Sequence, residues 1–157
     1  MRRNMKSYII GILIPLAVGL LSAYLTRDSM DLYESIVRPA LAPPGIVFPI
    51  VWTILYTLMG IGSAMIYNAD ANEQDKSRAL TLYGLQLVVN FFWSILFFNQ
   101  RAFLTSFVWL LLLWALIVAM ILSFRKINKI AAWLQIPYLL WVTFAGYLNL
   151  MIYLLNR

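Results

Sequence analysis

Charge is excluded from five long stretches of this chain, and that pattern restricts the folds open to it more than any other feature. The uncharged runs are Ser7–Thr26, Pro39–Ala69, Ala79–Gln100, Ala102–Phe124 and Ile130–Asn156. Each reaches the roughly 20 residues that a helix needs to cross a hydrocarbon layer about 30 Å thick. The six carboxylates (Asp28, Asp31, Glu34, Asp70, Glu73, Asp75) and all twelve Lys and Arg side chains fall in the gaps or at the ends. A charge in lipid costs upwards of about 2.5 kcal/mol, so a helical membrane protein must segregate its charges in this way. With 63% hydrophobic residues, 11% charged residues and a mean hydropathy of +0.82, the composition lies far from that of a soluble domain. The expectation is an all-α, five-transmembrane-helix bundle in one integral membrane domain. Its helices are expected at approximately 7–26, 46–67, 79–98, 102–124 and 130–155.

The connections are short. Thr26–Arg38 reads as the longest structured one, Asn68–Arg78 as a polar turn, Asn99–Arg101 as a tight hairpin and Arg125–Lys129 as a basic elbow. Such links imply antiparallel neighbours in a largely up-and-down bundle. The basic start before the first run resembles a signal peptide, but Leu21-Ser22-Ala23 is a poor small-x-small cleavage site, which favours a retained first helix. Arg2, Arg3, Lys6, Lys76, Arg78, Arg125, Lys126 and Lys129 lie on one side, against Arg27, Arg38, Arg101 and Arg157 on the other. Eight cations against four predict a cytoplasmic N-terminus. The net charge of +6 is therefore a topology signal, and with no contiguous basic patch a nucleic-acid partner is not expected.

The residues that are missing narrow the chemistry. The chain has no His and no Cys, which removes the commonest soft metal ligands, thiol catalysis and disulfides; neither metal nor cofactor is expected. No carboxylate, Lys or Arg lies within a span to relay protons, which weighs against an ion-coupled pump.

What remains is aromatic and weakly polar. Trp52, Tyr56 and Gly60 share one stripe of the second helix; Gln86, Asn90, Trp93, Ser94 and Phe97 share one of the third; Pro137, Trp141, Ala145 and Asn149 share one of the fifth. An amide in lipid gains by facing the protein interior, so Gln86, Asn90 and Asn149 should point inward with the rings beside them. Three such stripes can line an apolar pocket with a few hydrogen-bonding groups. Equally, the amides can simply join helices while the rings fill space. Trp133 reads as an interfacial anchor, and Trp109 and Trp114 as lipid-facing or packed between helices. The pairs Gly19/Ala23 and Gly60/Ala64 allow close helix approach.

Four segments resemble one family in order and spacing. They are Arg38-Pro39-Ala40-Leu41-Ala42-Pro43-Pro44, Val51-Trp52-Thr53-Ile54-Leu55-Tyr56, Gln86-Leu87-Val88-Val89-Asn90 with Trp93 and Phe97-Phe98, and Pro137 through Ala145 with Leu148-Asn149. That family is TspO/MBR, which includes translocator proteins, tryptophan-rich sensory proteins and peripheral-type benzodiazepine receptors. The resemblance spans nearly the whole chain. It implies a homodimer in the bacterial cell membrane that binds porphyrin-type tetrapyrroles or other hydrophobic small molecules. The implied pocket opens beside the first loop, between the second, third and fifth helices.

Carried onto this sequence, the resemblance makes Trp52 and Trp141 the tryptophans linked to porphyrin binding and its light-dependent breakdown. Asn90 becomes a pocket amide, Ala145 a small packing residue, and Tyr33 with Pro39, Pro43 and Pro44 the lid. With the stripes, the expected ligand-binding set is Tyr33, Trp52, Tyr56, Asn90, Trp93, Phe97, Trp141, Ala145 and Leu148. Leu32 and Leu41 stand where the family commonly has Trp, an exchange expected to weaken capture of a flat macrocycle. Leu150, Tyr153 and Arg157 satisfy a short sterol-binding pattern that is frequent in membrane proteins. The functional expectation is a receptor or sensor without turnover. The alternatives are a light-dependent porphyrin-degrading catalyst using Trp52 and Trp141, or a tetrapyrrole transporter.

Overall fold

The computed structural model describes residues 2–157, with side chains from Met5 onward, so the side chains of Arg2 and Arg3 lie outside the described residues. Its helices are α1 (Arg2–Leu25), α2 (Ser29–Ser35), α3 (Val47–Asn68), α4 (Glu73–Ser94), α5 (Phe103–Ile127), α6 (Lys129–Trp133) and α7 (Ile136–Asn156). A π-helical turn, Ile95–Asn99, continues α4. Five stretches are long and apolar enough to cross a membrane: Met5–Leu25, Val47–Asn68, Glu73–Asn99, Phe103–Ile127 and Lys129–Asn156. The chain is an all-α, five-span integral membrane protein.

Several ends depart from the uncharged runs, because a helix stops where its backbone bonds stop rather than where its charges begin. α4 starts at Glu73 instead of 79. Asn72 caps it by accepting from the Gln74 amide at 2.7 Å, and Glu73 and Asp75 in the first turn complement the helix dipole. α5 runs on to Ile127 with Arg125 and Lys126 in its last turn, where cations are favoured. The fifth span is broken into α6 and α7. Pro137 has no N–H to give the Trp133 carbonyl and its ring would crowd that group, so the ladder stops one turn earlier. α6 then begins on Asn128, whose Oδ1 accepts from the Ile130 and Ala131 amides.

α3 packs against α1, α4 and α6, α5 against α4, α6 and α7, and α4 also against α1. The ring therefore runs first, second, fifth, fourth and third span before closing on the first. Glycine brings α1 and α3 together: a Cβ at Gly60 would overlap the Ile12 backbone, and one at Gly11 would sit 2.9 Å from the Gly60 carbonyl. Leu113, Ile117, Met120 and Phe124 form a fully buried stripe on α5. Polar staples add direction. Asn149 Oδ1 accepts from Trp93 Nε1 (3.0 Å) and Ser106 Oγ (3.1 Å), while its Nδ2 donates to the Phe103 carbonyl (2.7 Å), tying α4, α5 and α7. Gln86 Oε1 accepts from the Tyr138 hydroxyl at 2.7 Å.

At one end of the bundle, α2 and the loop to Val47 fold over the helix tips. Side-chain amides hold both ends of this segment. Asn99 Nδ2 donates to the Leu25 carbonyl, and Asn156 pairs with Val37 in both directions, accepting from its amide (2.9 Å) and donating to its carbonyl (2.7 Å). The Tyr33 hydroxyl donates to the Pro43 carbonyl and closes the segment on itself.

Candidate ligand-binding cavity

Beneath this loop lies a cavity of about 340 Å³, bordered by α1, α2, α3, α4 and α7. That size is within the range of roughly 300–1,000 Å³ usual for small-molecule sites. No Lys, Arg, Asp or Glu is among the residues that border it. The wall is built from rings. Tyr33 meets Phe48 edge-on at 5.1 Å, Phe48 meets Trp141 at 5.7 Å, and Trp52 lies 5.4 Å from Tyr56 and 6.1 Å from Tyr138.

Six of the nine residues expected from sequence border the cavity: Tyr33, Trp52, Tyr56, Trp93, Trp141 and Ala145. Asn90, Phe97 and Leu148 are buried but do not border it. The π-turn accounts for Phe97. Its extra residue advances the register, so Phe98, five residues beyond Trp93, follows that ring on the wall. Phe97 instead stacks on Trp93 at 5.3 Å and packs on Phe103 at 5.0 Å.

Asn90 sits behind the wall, where the phenols of Tyr56 and Tyr138 interact with its side chain. Its Nδ2 is buried and has no hydrogen-bond partner among the described residues. Buried amide donors are rarely left unmatched, so Asn90 holds a donor in reserve one side chain from the cavity. The indoles divide similarly. Trp93, Trp109 and Trp114 donate to Asn149, the Val89 carbonyl and Thr143. Trp52 and Trp141, both on the wall, donate to no group among the described residues.

The first helix supplies a further wall, with Leu16, Gly19, Leu20, Ser22 and Ala23, and Thr26 follows just past its end. Gly19 and Ala23 were legible as small residues at helical spacing, and the structure uses Gly19 for a ring rather than a backbone. A Cβ there would meet Tyr56 Cε2 at 2.5 Å. Phe48 was also legible, since it lies four residues before Trp52 on the same stripe.

Neither of the lid leucines that stand in place of family tryptophans borders the cavity. Leu32 is 3% exposed on the buried face of α2, and Leu41 is 69% exposed at the loop tip. Tyr33 is the ring that α2 turns to the cavity, with the Arg38 guanidinium 4.6 Å from its centre. Burial raises the Tyr33 phenol above its ordinary pKa of 10.0, and Arg38 partly offsets the shift. Of the sterol-pattern residues, Leu150 and Tyr153 are half-buried and Arg157 is exposed; none borders this cavity.

Fold and cavity together define a small polytopic membrane protein with a lidded, uncharged aromatic pocket inside its helix bundle. The chain belongs to the TspO/MBR family, whose pattern matches residues 11–155. It is 37% identical to the tryptophan-rich protein TspO of Chlorobaculum tepidum over 90% of both chains. It is 35% identical to the translocator protein of Bos taurus, covering 87% of this chain and 82% of the relative. The tryptophan-rich sensory protein of Cereibacter sphaeroides is 32% identical over 74% of this chain and 72% of its own.

Proposed function

We propose that the protein is a membrane receptor for hydrophobic, ring-bearing ligands that carry hydrogen-bond acceptors, with porphyrin-like tetrapyrroles as the leading class. The observation that carries this reading is the pair of indole donors, Trp52 and Trp141, unmatched among the described residues, on an uncharged and mainly apolar wall. An apolar macrocycle fits against rings, and its carboxylates or carbonyls give the indoles acceptors. The relatives named as sensory and translocator proteins agree with binding as the primary role. Receptor action also suits a wall without a carboxylate, Lys or Arg for acid–base chemistry.

Titration of protoporphyrin IX in detergent tests the reading. Trp52→Phe and Trp141→Phe keep a ring and delete only the N–H, so each should weaken binding roughly 5- to 10-fold. Trp133→Phe changes a residue that is 70% exposed and borders no part of the cavity, and should leave binding unchanged. Equal effects from all three, or no effect from the first two, would remove the cavity as the site.

A further inference from the structure

A second hollow, of about 320 Å³, lies at the lid end of the bundle. Its wall is Arg101, Ala102, Phe103, Leu104, Thr105, Tyr153, Asn156 and Arg157, drawn from the hairpin before α5, the first turn of α5 and the end of α7 with the residue after it. Four arginines occupy this end of the molecule, and they fall into two pairs. Arg27 lies over the Tyr24 ring at 4.9 Å and Arg38 over the Tyr33 ring at 4.6 Å. Arg101 and Arg157 have neither an aromatic face nor a carboxylate among the described residues, yet they border the same hollow. The hydroxyls of Thr105 and Tyr153 on that wall are also unmatched. Asn156 alone is engaged, through Val37. No Asp or Glu borders the hollow, so its free polar side chains are all able to donate.

Arg101 is also the only non-glycine residue among those described with a positive φ, 51°. A large side chain there costs free energy that Gly or Asn would avoid. The hairpin nonetheless carries an arginine at this position, on the same hollow as Arg157 just after α7.

We propose that this hollow binds a phosphate group, presented by an anionic lipid headgroup or by free phosphate. Two guanidiniums meet phosphate oxygens with paired N–H donors, and the hydroxyls supply further ones. Both arginines lie at the ends of membrane spans, the level at which lipid phosphates sit. The two residues that satisfied the sterol pattern, Tyr153 and Arg157, thereby act on a phosphate from the bundle's end. The site is separate from the aromatic cavity, with which it shares no wall residue.

Native mass spectrometry of the full chain, with phosphatidylglycerol and phosphatidylcholine competing in one detergent, provides the test. The wild type should retain phosphatidylglycerol in preference by about tenfold or more, and Arg101→Gly with Arg157→Gln should bring the two lipids to parity. Arg27→Gln with Arg38→Gln removes the same charge from the same end and should keep the preference. Arg101→Gly suits the positive φ; should the pair fail to fold, Arg157→Gln alone carries the comparison and should lose about threefold. A parallel arm adds inorganic phosphate. A rise in Tm seen in the wild type and absent from the Arg101/Arg157 variant, without lipid selectivity, supports the site and assigns it to free phosphate. The proposal falls if the wild type shows neither lipid preference nor a phosphate response, or if the Arg27/Arg38 control loses as much as the site pair.

Discussion

The six tryptophans separate by what their indole N–H groups meet, and side-chain type alone does not reveal that division. Trp52 and Trp93 lie on inward stripes of different helices and both reach the cavity, but Asn149 accepts the Trp93 donor. A partner 56 residues away in sequence cannot be read from local spacing. Tyr33 shows a second effect of environment. Burial raises its pKa above 10.0, with Arg38 offsetting part of the shift. A folded-state pKa above the unfolded one gives stability that is intact below the unfolded value and lost as pH rises through the folded value. The lid should therefore hold equally well from neutral pH to about 10, and loosen only above that. Hydrogen exchange over the loop segment, followed against pH, checks this. An alkaline step in the wild type that is missing from Tyr33→Phe is the expected result; a step near neutrality would mean that another group holds the lid.

At the scale of elements, the five spans were legible because lipid excludes charge wherever it touches a helix. Their register and breaks were less so. Pro137 was placed on an inward stripe, and the interruption it imposes between Trp133 and Ile136 follows from the same missing N–H. The π-turn at Ile95–Asn99 has no comparable residue marker, which is why Phe97 and Phe98 exchange the roles expected from regular periodicity. α2 is not legible in the sequence because seven residues cannot display an apolar stripe clearly. Glycine illustrates how position decides meaning within an element. Gly60 accepts the α1 backbone at a distance that excludes a Cβ, whereas nothing lies within 4 Å of a Cβ at Gly84. Gly60→Ala should destabilise by about 1–3 kcal/mol through separation of α1 and α3. Gly84→Ala should instead stabilise by about 0.5–1 kcal/mol, because alanine restricts the unfolded chain more than glycine does. Thermal unfolding of both in one detergent decides it; a Gly60→Ala protein at least as stable as the wild type would show that the contact yields.

For the whole molecule, ring order was the hardest feature to foresee. Short loops predict sequential neighbours, and the second span does meet the first and the third, but it also meets the fifth, and the first also meets the third. The cavity lies between α3 and α4 at the lid end, and both border it. The lid, the Arg101 hairpin and the end of α7 share one face of the bundle, and the Asp70 turn and the α5–α6 elbow share the other. Charge then orients the whole. Eight cations on the elbow side against four on the lid side predict that the lid, and with it the cavity mouth, faces away from the cytoplasm. A ligand would reach the pocket from the outer surface or the outer leaflet. The chain has no cysteine, so single cysteines report topology without background. Leu41→Cys lies at the exposed loop tip, and Glu73→Cys opens α4 on the opposite face. A membrane-impermeant maleimide added to intact cells should label Leu41→Cys and reach Glu73→Cys only after lysis. The reverse pattern would invert the protein and bring the pocket's mouth to the cytoplasm. Labelling of both in intact cells would place the two loops on one side, and the five-span count would then have to change.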